Sequence, residues 1–194
     1  MPEFFAPAHG VVVLAAGGSS RLGCNKLLLQ HEGEALVRRA ARLALQTEPL
    51  DAVIVLGAEA DTVFAQIRDL PIRRVDCAYW RDGMSASLRA GTAALSAECA
   101  GALVVLCDQP ALETAHLRAL RDAWRVSGNA AASLYAHRLG VPALLPRSWF
   151  AQIPARGDRG ARDLFVARRA EVVSVGNEAL AVDIDSPEDI DALR

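Results

Sequence analysis

One stretch of the chain, Leu14-Ala15-Ala16-Gly17-Gly18-Ser19-Ser20-Arg21-Leu22-Gly23-Cys24-Asn25-Lys26, joins a run of small side chains to two cations. Small residues let a backbone approach a phosphate closely, and their N–H groups can form an anion nest. Arg21 and Lys26 add positive charge for the same anion. Lys26 is the only lysine in the chain. The lone lysine reads either as a coding bias against lysine or as a residue kept where its chemistry matters, because a compact ammonium and a planar guanidinium are not interchangeable beside a phosphate. The loop is neither of two familiar phosphate binders. Gly18 and Gly23 have the Walker spacing, but Cys24 follows where lysine is required, and G-x-G-x-x-G is absent.

Carboxylates supply the opposite charge. Asp108 lies in Leu106-Cys107-Asp108-Gln109-Pro110, and Asp183 and Asp185 lie in Val182-Asp183-Ile184-Asp185-Ser186-Pro187-Glu188-Asp189. In an extended segment Asp183 and Asp185 share a face. With Asp108 they would make an oxygen cage suited to Mg²⁺. The alternative for Asp108 is a turn aspartate bonding its own backbone. Ser186 before Pro187 reads as a helix N-cap with proline at the first helical position, and Asp185 as the cap is its alternative role. Glu188 and Asp189 read as first-turn helix charges. The three stretches are expected to form one anion cradle, cationic on one wall and carboxylate-lined on the other.

The elements that must position these groups follow from apolar runs. Gly10–Ala15, Ala52–Gly57 and Ala102–Cys107 are near-continuous apolar segments that read as buried strands, with a shorter strand at Ile72–Val75. Helical spacing marks Glu34–Thr47, Asp61–Leu70, Ser85–Glu98 and His116–Val126. Further on, Ala130–Tyr135, Ala143–Leu145, Glu171–Val175 and Leu180–Ile184 read as strands, and Arg162–Arg169 and Pro187–Leu193 as helices. Strands apolar on both faces and separated by helices predict an α/β fold of three layers, a mostly parallel sheet with helices on both faces. In such a sheet, ligands bind beyond the C-terminal ends of strands, where the glycine loop and Asp108 both fall. Residues 1–194 read as one domain.

Composition narrows the function. The formal net charge is −2, so no global basic field exists to hold nucleic acid. Cys24, Cys77, Cys99 and Cys107 form no C-x-x-C pair, and the histidines complete no zinc spacing. Cys107 reads as a small buried hydrophobe. No signal peptide is read in MPEFFAPAHG, and no apolar stretch approaches membrane-spanning length, so a cytoplasmic location is expected.

The segments LAAGGSSRLGCNK, CDQP and VDIDSPEDI resemble the nucleotidyltransferases that mature the molybdenum cofactor. Gly83-Met84-Ser85-Ala86-Ser87-Leu88-Arg89-Ala90-Gly91, Gly157-Asp158-Arg159-Gly160-Ala161-Arg162 and Gly140-Val141-Pro142-Ala143 point within that group to the molybdenum cofactor cytidylyltransferases. The similarity runs from Val11 to Leu193. It implies a Rossmann-like nucleotidyltransferase fold and transfer of CMP from CTP to the terminal phosphate of molybdopterin, with release of pyrophosphate. It implies that Leu14, Ala15, Ala16, Gly17 and Gly18 hold the nucleotide, that Arg21 and Lys26 act on its triphosphate, and that Gly83, Met84, Ser85 and Ser87 lie near base and ribose. Asp108 would bind Mg²⁺, with Mn²⁺ as the alternative ion, and Asp185 would complete the site. The stretch from Gly157 to Arg162 would face the pterin. Leu22 stands where methionine is common in the family, and Tyr135-Ala136-His137-Arg138 precedes Gly140 where relatives often carry a smaller residue. Two other transferase roles remain open, guanylate transfer to the same acceptor or nucleotidyl transfer to a sugar phosphate. A glycine is frequent in the guanylate branch where this chain has Ala16. A third role is a non-catalytic cofactor carrier that docks on a molybdenum hydroxylase of the xanthine dehydrogenase type. A dinucleotide-dependent oxidoreductase is disfavoured by the missing glycine fingerprint.

Overall fold

The computed structural model describes residues 6–18, 23–184 and 189. Strand β1 (His9–Ala15) is followed by a small hairpin, β2 (Gln30–His31) and β3 (Glu34–Ala35). Then come α1 (Leu36–Leu45), β4 (Asp51–Leu56), α2 (Ala60–Ala65), β5 (Arg73–Asp76), α3 (Met84–Ala94) and β6 (Gly101–Leu106). The last third holds α4 (Thr114–Ser127), β7 (Ala130–Tyr135), β8 (Arg138–Pro146), α5 (Arg162–Ala167) and β9 (Val172–Gly176). Among the described residues seven strands form one sheet in the order β5-β4-β1-β6-β8-β7-β9. All neighbours pair in parallel except where β8 meets β6 and β7.

Alternation along the strands sorts the core into two layers, because successive side chains point to opposite faces. Val11, Val13 and Ile54 pack against Val37 and Ala41 of α1, Val63 of α2 and Leu117 and Leu120 of α4. Val12, Val53 and Val104 pack against Leu88 of α3 and Leu164 and Phe165 of α5. Helices therefore cover both faces, as the apolar runs predict. Helix α3 lies close on its face because Gly91 has no side chain. A Cβ there would sit 2.4 Å from Val12 Cγ1 and 2.8 Å from Val55 Cγ2.

Several elements differ from their sequence reading. Helix α1 starts at Leu36, because Glu34 and Ala35 pair with Gln30 and His31 and the Glu34 carboxylate accepts hydrogen bonds from Arg42. Helix α2 ends at Ala65, and single turns carry the chain to Leu70. Strand β8 spans Arg138–Pro146, well beyond Ala143–Leu145, because it lies between β6 and β7 and bonds to both. Leu180–Ile184 is not a strand. Glu178–Ala181 forms a 3-10 turn that buries Leu180 completely, and the chain then runs out beside Asp108, where Ile184 N donates to Asp108 O at 3.0 Å. Leu180 and Ile184 are buried without joining a ladder, and Val182 between them is exposed. The helix expected at Pro187–Leu193 lies outside the described residues, Asp189 excepted.

Candidate active site

Strands β1 and β6 are neighbours in parallel register, Leu14 beside Leu106, so the chain leaves both at the same sheet edge. Asp108 stands two residues beyond β6. The buried Gln109 side chain fixes that exit by donating from Nε2 to Val141 O and Leu180 O, each at 3.3 Å. Lys26 begins a 3-10 turn, Lys26–Leu28, capped by Asn25, whose Oδ1 accepts from Leu27 N at 3.1 Å. Buried Leu27 anchors the turn. Lys26 Nζ then reaches across to donate to Asp108 Oδ2 at 2.7 Å and to Ile184 O at 3.3 Å. Three stretches distant in sequence meet at these two side chains.

The contact revises the expected layout. Lys26 and Asp108 do not face each other across a cradle but form an ion pair on one wall. Among the described residues only one oxygen of Asp108 is engaged, since Oδ1 is buried without a hydrogen-bond partner there. An ionised carboxylate oxygen held away from water without a donor is costly to a fold. It is a ready ligand for a hard cation, because Mg²⁺ and its relatives take oxygen donors.

A cleft of about 570 Å³ opens at this edge. Leu14, Ala15, Ala16, Gly17, Lys26, Gly83, Met84, Ser87 and Asp108 line it together. Of the other expected binders, Gly18 is exposed beside the cleft rather than on its wall, and a Cβ on it would meet the Trp80 ring at 3.2 Å. Ser85 is buried behind the surface, its N–H donating to Gly157 O at 2.9 Å. Arg21 and Asp185 lie outside the described residues. Asp183 is exposed and does not line the cleft, although its charge reaches Tyr135. Burial first, and Asp183 second, push the Tyr135 phenol up. Among the described residues no three metal-binding side chains cluster, so the cage read from the sequence is represented by Asp108 alone.

Trp80, Arg81 and Leu106 complete walls the sequence reading did not assign, and Asp158 brings the Gly157–Arg162 stretch into the same cleft. Trp80 is wedged against β4, where a Cβ on Gly57 would lie 2.5 Å from its Cγ and 2.6 Å from Ala16 O. The Arg81 guanidinium lies over the Trp80 ring, 4.4 Å from its centroid. The one available signal was position, since Trp80 and Arg81 immediately precede the Gly83 segment. Gly83 has φ 102, and a side chain there would strike Gly157 O at 2.5 Å. Gly157 N donates to Asp82 O at 2.8 Å. The two glycine-containing segments are thus laced together across the cleft. Cys107 also lines it but is inert. Burial, reinforced by Asp108 and opposed by Lys26, pushes its thiol far up, and Sγ approaches Leu14 O at 3.6 Å.

Residues 11–172 match the family model described as the MobA-like NTP transferase domain. The chain belongs to this family. The MobA-like chain is a nucleotidyltransferase by that membership. It is 33 % identical over 189 residues to nicotine blue oxidoreductase of Paenarthrobacter nicotinovorans, covering 91 % of this chain and 92 % of that one. It is 29 % identical to the purine catabolism protein PucB of Bacillus subtilis (strain 168), covering 94 % of each. Among solved structures, Rv0371c of Mycobacterium tuberculosis H37Rv superposes with TM-score 0.84 at 28 % identity, covering 97 % of this chain and 98 % of that one. The same protein has also been solved in complex with manganese.

Proposed function

We propose that this MobA-like transferase moves CMP from CTP to the terminal phosphate of molybdopterin and releases pyrophosphate. The observation that carries the reading is the Lys26–Asp108 pair on the wall of the cleft, with Asp108 Oδ1 buried and unpartnered among the described residues. It offers a cation for a triphosphate and an oxygen for a divalent metal in one place.

A phosphate acceptor is already ionised near neutral pH, so no general base is needed. An acceptor oxygen bonds to the α-phosphorus as the bond from that phosphorus to the β-bridging oxygen breaks, and the electron pair leaves with pyrophosphate. The protein's task is positioning and charge neutralisation. The small residues Ala15 to Gly17 let the nucleotide lie against backbone. Lys26 holds negative charge on the triphosphate and on the departing pyrophosphate. Asp108 would hold Mg²⁺, or Mn²⁺ as in the relative's complex, with Asp185 as a further ligand. Such an ion would supply charge neutralisation at the phosphates. Asp158 and its neighbours would face the acceptor.

The test is incubation with molybdopterin, Mg²⁺ and each of CTP, GTP, ATP and UTP, followed by pyrophosphate release and product mass. CTP is expected to give the molybdopterin–cytidine product. A guanosine product would transfer the reading to the guanylate branch. Tight molybdopterin binding without pyrophosphate release would favour a carrier that docks on a molybdenum hydroxylase.

A further inference from the structure

Beyond the Lys26–Asp108 cleft, the same sheet edge carries a second concavity. Strand β7 runs parallel to β1 and β6, because β8 is antiparallel to both β6 and β7. The β7–β8 turn therefore opens on the edge where the first cleft lies. Between this turn and α5 is a hollow of about 430 Å³, lined by His137, Arg138, Arg159, Arg162 and Arg169, with Leu139 and Phe165 as an apolar floor. Arg159 pairs with Asp163 at 3.1 Å. Among the described residues, Arg138, Arg162 and Arg169 have no carboxylate within ion-pair distance. Arg138 and Arg162 therefore line the concavity with no carboxylate partner, and Arg169 beside them donates from Nη1 to Val172 O at 3.3 Å. Like charges repel, and an anion seated between them relieves that repulsion.

A second observation is independent of charge. The turn places two consecutive L residues, Ala136 (φ 46) and His137 (φ 59), in the left-handed region. Two-residue hairpin turns of this shape normally use Asn and Gly, which accept positive φ easily. The strained turn sets His137 and Arg138 at the rim of the hollow, and Ala136 N donates to Glu178 Oε2 at 3.0 Å to hold it. Backbone strain of this kind gathers at ligand sites.

We propose that this hollow is an anion-binding site distinct from the nucleotide cleft. Its ligand is an anion of two or more charges on a flat, partly apolar body. Guanidinium groups grip its charged groups bidentately, and Leu139 and Phe165 carry the body. The ligand chemistry fits either the remote end of an anionic acceptor or a free organic phosphate. The binding claim does not depend on the transfer reaction.

The experiment uses the full chain and pyranine, a fluorescent flat aromatic trianion. Titration should show one saturable site that weakens steeply as salt is raised. Arg138→Gln with Arg169→Gln should lower affinity by about tenfold per guanidinium removed. Arg81→Gln, in the nucleotide cleft, should leave it unchanged. Thermal unfolding of each variant verifies that it is folded, and the single Arg138→Gln variant, on an exposed turn, gives a milder version of the same test. Undiminished binding in the double variant, or loss in Arg81→Gln alone, overturns the proposal. The source is read from kinetics. A raised KM for the acceptor with unchanged KM for CTP in Arg138→Gln assigns the site to the acceptor. Unchanged KM values, with inorganic phosphate displacing pyranine from the parent and not from the residual site, assign it to a free phosphate.

Discussion

Asp108→Asn separates the catalytic demand on this residue from its structural one. The amide keeps the size of the carboxylate, so the effect is one of charge. In the protein as folded, Asp108 Oδ2 receives Lys26 Nζ at 2.7 Å, and the two side chains are 19 % and 18 % exposed. Two unit charges about 4 Å apart at an effective dielectric of about 20 attract by roughly 4 kcal/mol. Desolvation of two partly buried ions offsets much of that, and Lys26 keeps its bond to Ile184 O, which leaves a net loss of about 1–2 kcal/mol. At roughly 2–4 °C per kcal/mol for a chain of this size, the melting temperature should fall by about 2–8 °C. The variant therefore stays folded at 25 °C. Turnover should fall about a thousandfold, equivalent to about 4 kcal/mol, because the carboxylate that would hold the metal is gone. Calorimetry and pyrophosphate release at 25 °C measure the two effects on one preparation. A third reading is the rise in melting temperature on adding CTP with Mg²⁺. Ligand at about a hundred times its Kd stabilises by about 2.7 kcal/mol, and the variant should lose most of that gain. Turnover within tenfold of the parent in a folded Asp108→Asn protein would refute the reasoning.

Other perturbations address other parts of the site. Lys26→Ala should raise the KM for CTP by at least about tenfold, and Lys26→Arg should recover only part of it, since a planar fork does not reproduce a compact ammonium; full recovery in steady-state kinetics would contradict this. Gly57→Ala would press a Cβ onto Trp80 Cγ and Ala16 O, at 2.5 and 2.6 Å. A loss of about 1–3 kcal/mol in urea unfolding is expected, with weaker nucleotide binding; an unchanged midpoint would show that Trp80 is not wedged there. His9 offers a pH test. Thr47 Oγ1 donates to Ala44 O, so it accepts from His9 Nε2 at 2.9 Å, and His9 Nδ1 is left buried without a partner. A proton there has no acceptor, and burial, with Arg125 and Arg121 nearby, lowers the imidazole from 6.5 to about 4. The unfolded chain then binds the proton first. Stability should be fully present above pH 6.5 and decline as pH falls toward 4, by a limit of about 3 kcal/mol. His9→Gln should make the decline shallower, though not flat, because burial also lowers His116; an identical slope would remove His9 from the account.

Reading the sequence recovered what is written locally. Val11–Val13, Val53–Val55 and Leu103–Val105 are buried strands because uninterrupted apolar runs have one low-energy place, between two layers of helices. Lys26 and Asp108 were legible from residue type and from their position beyond strand ends. Misreadings arose where local pattern and tertiary role part company. Leu180 and Ile184 are as buried as strand residues, but they cap the sheet edge instead of joining it. The first half of β8, Arg138-Leu139-Gly140-Val141-Pro142, shows no apolar run, and its pairing with β7 through Arg138, Leu139 and Gly140 holds it extended.

The family and the parallel sheet were thus determined by the order of side chains along the chain. The tertiary structure alone decided that Lys26 and Asp108 pair directly, 82 residues apart, that Asp108 Oδ1 is left without a partner among the described residues, and that Trp80 and Asp158 enter the cleft. It also gathered arginines from a hairpin and a helix into one hollow. The physical reason is range. Strand and helix periodicity reflect neighbours a few residues away, whereas a salt bridge or a cleft wall depends on which strands lie side by side, and that follows from the packing of the whole core.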